Sequence, residues 1–202
     1  MDYIDKSSIR SQISKERNIL GIQEIQEFSS TIGKWIIDSD AFKNSNVIMV
    51  YKPIQHEVMT NLIIENALDN GKTVCLPRVV NAIHMEAAPI KNQNVDLVIS
   101  SLRILEPVSS IPPINPSIID LIVIPGIAFD RNGHRIGFGK GFYDRFIPLL
   151  RKDCCKIAAA YHFQVFDAIP SFESDQKADI IITEKECIVC DKKSEVRIQE
   201  SE

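Results

Sequence analysis

Between Ile124 and Phe146 the chain reads IPGIAFDRNGHRIGFGKGFYDRF, which sets Gly133, Gly137, Gly139 and Gly141 among Arg131, Arg135 and Lys140 and then closes on Phe142, Tyr143 and Asp144. Glycine lets backbone amides approach an anion closely, and the cations complement its charge, so this composition points to phosphate binding. Two familiar phosphate loops fail on spacing. A P-loop would need glycine where His134 stands and a hydroxyl residue where Gly141 stands. A dinucleotide fingerprint needs its glycines in the turn directly after a strand, whereas Gly137, Gly139 and Gly141 keep a two-two spacing after a long loop. Asn132-Gly133 is by itself a turn signal, and that leaves the three glycines flanking Lys140 for the anion. Asp144 is the awkward member, because a carboxylate repels a phosphate. Either it caps the following helix, worth about 1 kcal/mol, or a divalent cation lies between, since Mg2+ commonly takes one or two carboxylates together with phosphate oxygens. Spacing alone leaves both open.

The elements around this segment say where it sits. IIDLIVIPG is a near-continuous β-branched run, the pattern of a central strand covered on both faces. A loop that follows such a strand and enters a helix lies where open α/β sheets bind ligands. Upstream, Ile22, Ile25, Phe28, Ile32, Trp35 and Ile36 recur at helical spacing, and a shorter helix from about Ser7 carries Ile9, Ile13 and Leu20. On that first helix Lys6 and Arg10 project from one face, which spacing alone reads as solvated surface. NVIMVYKP, TNLIIENALDNGK and TVCLPRV read as strand, helix and strand, one β-α-β unit with a parallel centre. IHMEAAPI adds a hairpin strand, followed by a polar, proline-bearing connection. A helix from Tyr143 to Leu150, bent or restarted at Pro148, and the strands KIAAAYHF and ADIIIT complete the order. The expected fold is a three-layer α/β/α sandwich with a largely parallel central sheet, and the 202 residues fit a single domain over 1–202.

Composition narrows the partners. A hydrophobic content of 45% and a charged content of 25% suit a globular protein with a full core. The net charge of -4 argues against non-specific nucleic-acid binding, so an anionic ligand must be met locally. The amino-terminal MDYIDKSSIR has no apolar signal core. The most apolar stretch, 118–129, is broken by Asp120 and Pro125 and is shorter than the roughly 20 residues of a membrane span. The expectation is a cytoplasmic protein without membrane or nucleic-acid partners, monomeric by default. Five cysteines make an odd count that favours reduced thiols, and Cys187 and Cys190 form one CxxC with no second pair to complete a zinc site.

Taken together, PGIAFDRNGHRIGFGKGFYDRF, the pair Lys6 and Arg10, YKPIQHEVMT, VCLPRV, ILEP and IPSFESDQKADIIITE resemble, in order and over nearly the whole chain, the signatures of the 5-formyltetrahydrofolate cyclo-ligase (5,10-methenyltetrahydrofolate synthetase) family. The resemblance implies a three-layer α/β fold and the ATP- and Mg2+-dependent conversion of a reduced folate, 5-formyltetrahydrofolate, to the 5,10-methenyl form with release of ADP and phosphate. It implies that Lys6, Arg10, Arg135 and Lys140 hold the ATP phosphates, that Gly137, Gly139 and Gly141 cradle them, and that Ile136, Phe138, Phe142 and Tyr143 border the same site. Arg135, Lys140 and Tyr143 would take part in catalysis, Asp144 and Asp175 would hold the metal, and Glu57 would accept pterin N–H donors. Lys52 would sit on the folate side, where the family is commonly apolar, and Phe138 and Phe142 would face flat rings.

Two positions depart from the family pattern. Phe142 stands where a tyrosine is usual and lacks its hydroxyl, and Arg103 replaces a glycine ahead of ILEP. His56, His84, His134 and His162 match no catalytic position and read as surface or structural residues. Two other readings are compatible with the fold alone: a sugar-phosphate or CoA-type enzyme, and a folate- or nucleotide-binding protein without turnover. Neither has a signal of its own, and a pure binder has little use for two metal carboxylates beside a phosphate cradle.

Overall fold

The computed structural model of the chain describes residues 5–92, 97–100 and 104–190. The first helical pattern forms α1 (Lys6–Ile19), opened by Asp5, whose carboxylate accepts the Ser8 amide at 2.7 Å and satisfies an amide that no helical partner reaches. Ile9 and Ile13, one turn apart, are buried against Ile127, Ala128 and Ile136, so an apolar pair docks the helix beside the glycine-rich segment and carries Lys6 and Arg10 with it. The second pattern forms α2 (Ile22–Asp38), which buries Ile25, Ile32 and Ile36 on one face. Ile22 and Trp35 share the period but stay at the margin, partly or largely exposed. A short α3 (Asp40–Lys43) leads into β1 (Val47–Met49), α4 (Asn61–Asp69), β2 (Thr73–Val79) and β3 (Met85–Ile90).

The middle of the chain adds β4 (Leu97–Ile99), β5 (Leu105–Pro107), β6 (Leu121–Ile124), β7 (Ala128–Asp130) and β8 (Arg135–Ile136). After these come α5 (Phe142–Phe146), β9 (Cys155–Ala159), β10 (Val165–Phe166), β11 (Ile180–Ile182) and β12 (Cys187–Val189). Seven strands make the main sheet in the order β12-β11-β9-β6-β1-β2-β3. The five central strands are parallel, and β3 and β12 close the two edges antiparallel. Alternate side chains of each central strand enter opposite faces, as the pleat requires. Leu121 and Val123 of β6 join α2 and α4 in one core, while Ile122 and Ile124 join Phe146 and Ile147 in the other. That is a three-layer arrangement, although the layer over the second face is thin.

Several elements differ from the sequence expectation. The helix expected from Tyr143 to Leu150 is the five-residue α5 followed by a 3-10 turn over Ile147–Leu149, because Pro148 has no amide to continue the ladder. The proline-bearing connection contains the antiparallel pair β4–β5, and β12 extends the sheet beyond ADIIIT. No helix among the described residues is long and apolar enough to cross a membrane.

Asn132-Gly133 forms the turn of the β7–β8 hairpin. The Gly133 amide donates to the Asp130 carbonyl at 2.9 Å, while one Asp130 carboxylate oxygen accepts the Asn132 and His134 amides at 2.9 and 3.1 Å. Gly133 has φ of 85°, and a Cβ there would stand 2.3 Å from the Ala178 carbonyl oxygen. Gly133→Ala is therefore expected to lower stability by roughly 3 kcal/mol, from left-handed strain of about 1–2 kcal/mol and a comparable overpacking cost. Urea unfolding measures this, and a loss below about 1 kcal/mol would contradict the turn as described.

Candidate active site

A cavity of about 370 Å³ opens where β1, β2 and β6 end, bordered by Tyr51, Val79 and Pro125 from those strands or just beyond them. This is the carboxyl edge of the parallel sheet, where side chains from several strand ends converge. Every residue singled out in the sequence as a site candidate lines it: Lys6, Arg10, Lys52, Glu57, the run from Arg135 to Asp144, and Asp175. Arg131, which belongs to the same cationic stretch of sequence, turns away and pairs with Glu186 at 2.8 Å. Arg103 lies outside the described residues.

One end of the cleft is built from cations and glycines. The Arg135 side chain is only 4% exposed and meets the Asp144 carboxylate at 2.8 Å and, more weakly, the Pro125 carbonyl at 3.4 Å. Its Nε is buried without a partner among the described residues, and its guanidinium lies 5.5 Å from the centre of the Tyr143 ring. Lys6 reaches Asp175 at 2.6 Å and sits 4.2 Å from the centre of the Phe172 ring. Arg10 donates from Nε to the Gly137 carbonyl at 2.9 Å and so ties α1 to the loop. Lys140 is exposed at the loop tip and makes no ion pair with the described residues. Gly139, with φ of 94°, takes a backbone course that a side chain would resist.

Asp144 does not cap α5. The cap is Gly141, without a side-chain bond, and Asp144 lies in the first turn with its Oδ1 accepting both Arg135 and the Gln176 amide. A helix of five residues sums few peptide dipoles, so the positive potential at this end comes chiefly from side chains. Asp175 uses Oδ2 for both Lys6 and the Phe172 amide. Burial disfavours its charge, yet Lys6 and that amide outweigh burial and hold the carboxyl below its usual range. Each carboxylate thus keeps one oxygen clear of these bonds. Two such oxygens beside the cations Lys6 and Arg135 fit the donor set of Mg2+, an ion commonly held by one or two carboxylates with its remaining positions filled by other oxygens. No cluster of three or more acidic, His or Cys side chains among the described residues would hold an ion unaided.

The other end is apolar and carries buried carboxylates. Ile54 to Glu57 form a tight turn closed by the Glu57 amide on the Ile54 carbonyl at 2.9 Å, with Gln55 and His56 both left-handed at φ of 46° and 59°. Positive φ at both central positions is the type I′ geometry, usually given to Asn and Gly. The turn drives Glu57 inward until it is 4% exposed. Its Oε2 accepts the Ile54 amide at 3.0 Å and its Oε1 has no partner among the described residues. Burial raises the carboxyl to about 7, against the opposing pull of the Ile54 amide and Arg17.

Among the charged residues that line the cleft, Glu106 is the one that sequence reasoning missed, although ILEP contains it. It is buried in β5, and burial raises its carboxyl against the Val79 amide, Ser100 and Arg78. A lone glutamate in a short strand followed by proline carries no spacing signal of its own. Lys52 is half-buried, which lowers its ammonium, and it donates to Asn61 at 3.3 Å. Phe138 is 42% exposed at the loop tip, and Phe142 lies 5.6 Å from the Arg145 guanidinium.

Comparison with known proteins places the chain in a family. The sequence profile of the 5-formyltetrahydrofolate cyclo-ligase family matches residues 3–184. A probable 5-formyltetrahydrofolate cyclo-ligase of Caenorhabditis elegans is 32% identical over 92% of this chain and 96% of its own length. The 5-formyltetrahydrofolate cyclo-ligase of Mycoplasma genitalium is 31% identical over 89% of this chain and 98% of its own. Among solved structures, the 5,10-methenyltetrahydrofolate synthetase of Aquifex aeolicus superposes with a TM-score of 0.82 at 29% identity, covering 98% of this chain and 99% of that one. With the profile spanning most of its length and the fold in agreement, the chain belongs to the 5-formyltetrahydrofolate cyclo-ligase family of enzymes.

Proposed function

We propose that the cleft closes 5-formyltetrahydrofolate to 5,10-methenyltetrahydrofolate at the expense of ATP. One observation carries this reading: a cationic, glycine-rich phosphate end and a buried carboxylate with an unpartnered oxygen face a single cavity. A phosphate chain finds acceptor-seeking groups in Lys6, Arg10, Arg135 and Lys140 and in the amides of Gly137, Gly139 and Gly141. A pterin finds an acceptor in Glu57 and apolar walls beside it.

An N-formyl oxygen is a poor leaving group, so the reaction needs it converted to phosphate. The formyl oxygen attacks the γ-phosphorus and ADP leaves; folate N10 adds to the activated carbon; the C–O bond breaks, phosphate departs and N10 releases its proton to solvent. Holding both substrates in register supplies much of the rate in such a reaction. Arg135 is suited to the transferring phosphoryl group because burial, Asp144 and the Tyr143 face already fix its fork in place. Burial keeps the Tyr143 hydroxyl neutral, and its part is to hold Arg135. Asp144 and Asp175 are the residues to hold Mg2+, which when bound offsets charge on the phosphate chain. Lys6–Asp175 and Arg135–Asp144 then act as internal stand-ins: the two carboxylates balance the cations until phosphate takes the cations.

The test is to mix the protein with 5-formyltetrahydrofolate, ATP and Mg2+, follow the near-ultraviolet absorbance of the methenyl product, and omit ATP and metal in turn. The expected result is a rise that requires both. Folate binding without any rise would favour a non-catalytic binder. Lys140→Ala is expected to raise the KM for ATP roughly ten- to hundredfold, the worth of a charge-assisted phosphate contact, with unfolding unchanged because Lys140 is exposed. An unchanged KM would remove Lys140 from the phosphate site.

Glu57 gives a pH signature. Its folded carboxyl sits at about 7 against an ordinary 4.5, so the folded state resists ionisation and loses relative stability as pH rises from about 4.5 through 7. Glu57→Gln should therefore stabilise the protein by roughly 3 kcal/mol above pH 7 and by little below pH 4.5. The same variant should abolish a gain in folate affinity that the wild-type protein shows as pH rises through 7. Denaturant titrations across that range, with folate binding by calorimetry, check both; a pH-independent stability difference would contradict the burial account.

A further inference from the structure

Arg145 does not line the cleft, yet it holds the backbone of two segments that do. Its Nη2 donates to the Lys140 carbonyl at the tip of the glycine-rich loop at 2.6 Å, and its Nε donates to the Ile83 carbonyl in the β2–β3 turn, also at 2.6 Å. The guanidinium rests 5.6 Å from the centre of the Phe142 ring and passes so close to Gly141 that a Cβ there would stand 2.8 Å from Nη1. Reaching two carbonyls at once takes the planar fork of an arginine. The turn that offers Ile83 is itself fixed, because the Asn81 side chain accepts the Ile83 and His84 amides at 3.0 and 2.9 Å. From that turn β2 and β3 lead directly to the paired Val79 and Met85, which border the cleft, and the Val79 amide supports Glu106. One side chain thus ties the glycine-rich loop to a wall of the apolar end.

Peptide geometry says what these bonds do. No peptide among the described residues is cis, and a trans peptide points its N–H opposite to its C=O. Arg145 takes the Lys140 carbonyl from outside the cleft, so the Gly141 amide of the same peptide turns toward the cleft that Gly141 borders. There it meets no acceptor among the described residues. The other end of the loop is held in the same manner, with Arg10 on the Gly137 carbonyl. Arg10, however, lines the cleft, whereas Arg145 acts only through the backbone it holds. Both Arg145 bonds are exposed, so water competes for them and they add little to stability. Their effect is on orientation, where a displacement of about 1 Å can cost on the order of a hundredfold in rate. We infer that Arg145 is a positioning residue for phosphoryl transfer: it locks the Lys140–Gly141 peptide to the β2–β3 hairpin, aims the Gly141 amide at the transferring group, and sets the glycine-rich loop in register with the apolar end. This rests on the ATP-dependent reading of the cleft and adds to it a residue outside the cavity.

Two variants test the inference. Arg145→Ala leaves room for a soluble guanidinium ion, and Arg145→Lys keeps the charge without the fork, so together they separate geometry from charge. Initial rates with 5-formyltetrahydrofolate, ATP and Mg2+ would be measured for each, alone and with guanidinium chloride below the concentration that begins unfolding, with tetramethylammonium chloride as the salt control. Both variants are expected to lose about ten- to hundredfold in kcat, with the KM for ATP and for folate and the thermal midpoint near the wild-type values. Guanidinium, and not tetramethylammonium, should restore part of the kcat of Arg145→Ala. A wild-type kcat in both variants would overturn the positioning role and leave the proposed reaction standing. So would a raised ATP KM with kcat kept, which would make Arg145 a direct phosphate ligand. A loss of kcat that follows a falling thermal midpoint, without guanidinium rescue, would reduce Arg145 to a structural part and also overturn it. Wild-type protein that turns over no folate would overturn the reaction and this role together.

Discussion

A guanidinium removed from water costs several kcal/mol unless its charge and donors are met, and Arg135, with a side chain 4% exposed, imposes that constraint on the whole cationic end of the cleft. Its partners come from separate places: the Asp144 carboxylate from α5, the Pro125 carbonyl from the end of β6 and the Tyr143 face from the same short helix. To bring α5 back over Arg135, the chain between must reverse within a few residues, and the left-handed Gly139 and Gly141 are how it does so. Lys6 and Asp175 repeat the arrangement across the cleft, fastening α1 to the segment before β11. The groups that hold the site together are those proposed to bind ATP and metal. Two of the four cations among them, Lys6 and Arg135, are paired with carboxylates in this way.

The apolar end depends on the opposite device, a charge kept poorly compensated. The left-handed pair Gln55–His56 folds Glu57 under the wall of the cleft, where only the Ile54 amide reaches one oxygen and Arg17 acts from a distance. Strain of this kind costs of order 1–3 kcal/mol per residue and persists where the surroundings over-determine it. Here Tyr51 donates to the Val58 carbonyl at 3.1 Å and Thr60 to the Tyr51 carbonyl at 2.6 Å, bracing both sides of the turn. One four-residue turn thus presents an acceptor to the cleft.

Much of this was legible in the sequence, for identifiable reasons. Ile9/Ile13 and Ile25/Ile32/Ile36 announce two helices, and the unbroken apolar run of β6 announces a strand buried on both faces, because burial leaves a periodic record. The glycine spacing around Lys140 excludes the two common phosphate loops and singles out the segment that lines the cleft. The edge strand β12, the pair β4–β5 and the shortness of α5 were not legible: three-residue strands carry too little pattern, and Pro148 marks a boundary without fixing the conformation beyond it. Glu106 and the Gln55–His56 turn were missed because their significance is burial and backbone hand, neither of which spacing records. Lys6, Arg10 and Asp175 would have passed for surface charges, since only the fold brings positions 6, 10 and 175 together; there the family pattern supplied what local physics could not.

The central claim is that one cleft hands phosphate to the formyl oxygen of the folate. It is tested most directly by running the reaction with oxygen-18 in the formyl group and analysing the released phosphate by mass spectrometry. The account predicts one labelled oxygen in each phosphate formed. Unlabelled phosphate, with the isotope appearing in water, would mean that ATP is cleaved without touching the formyl oxygen and would contradict it.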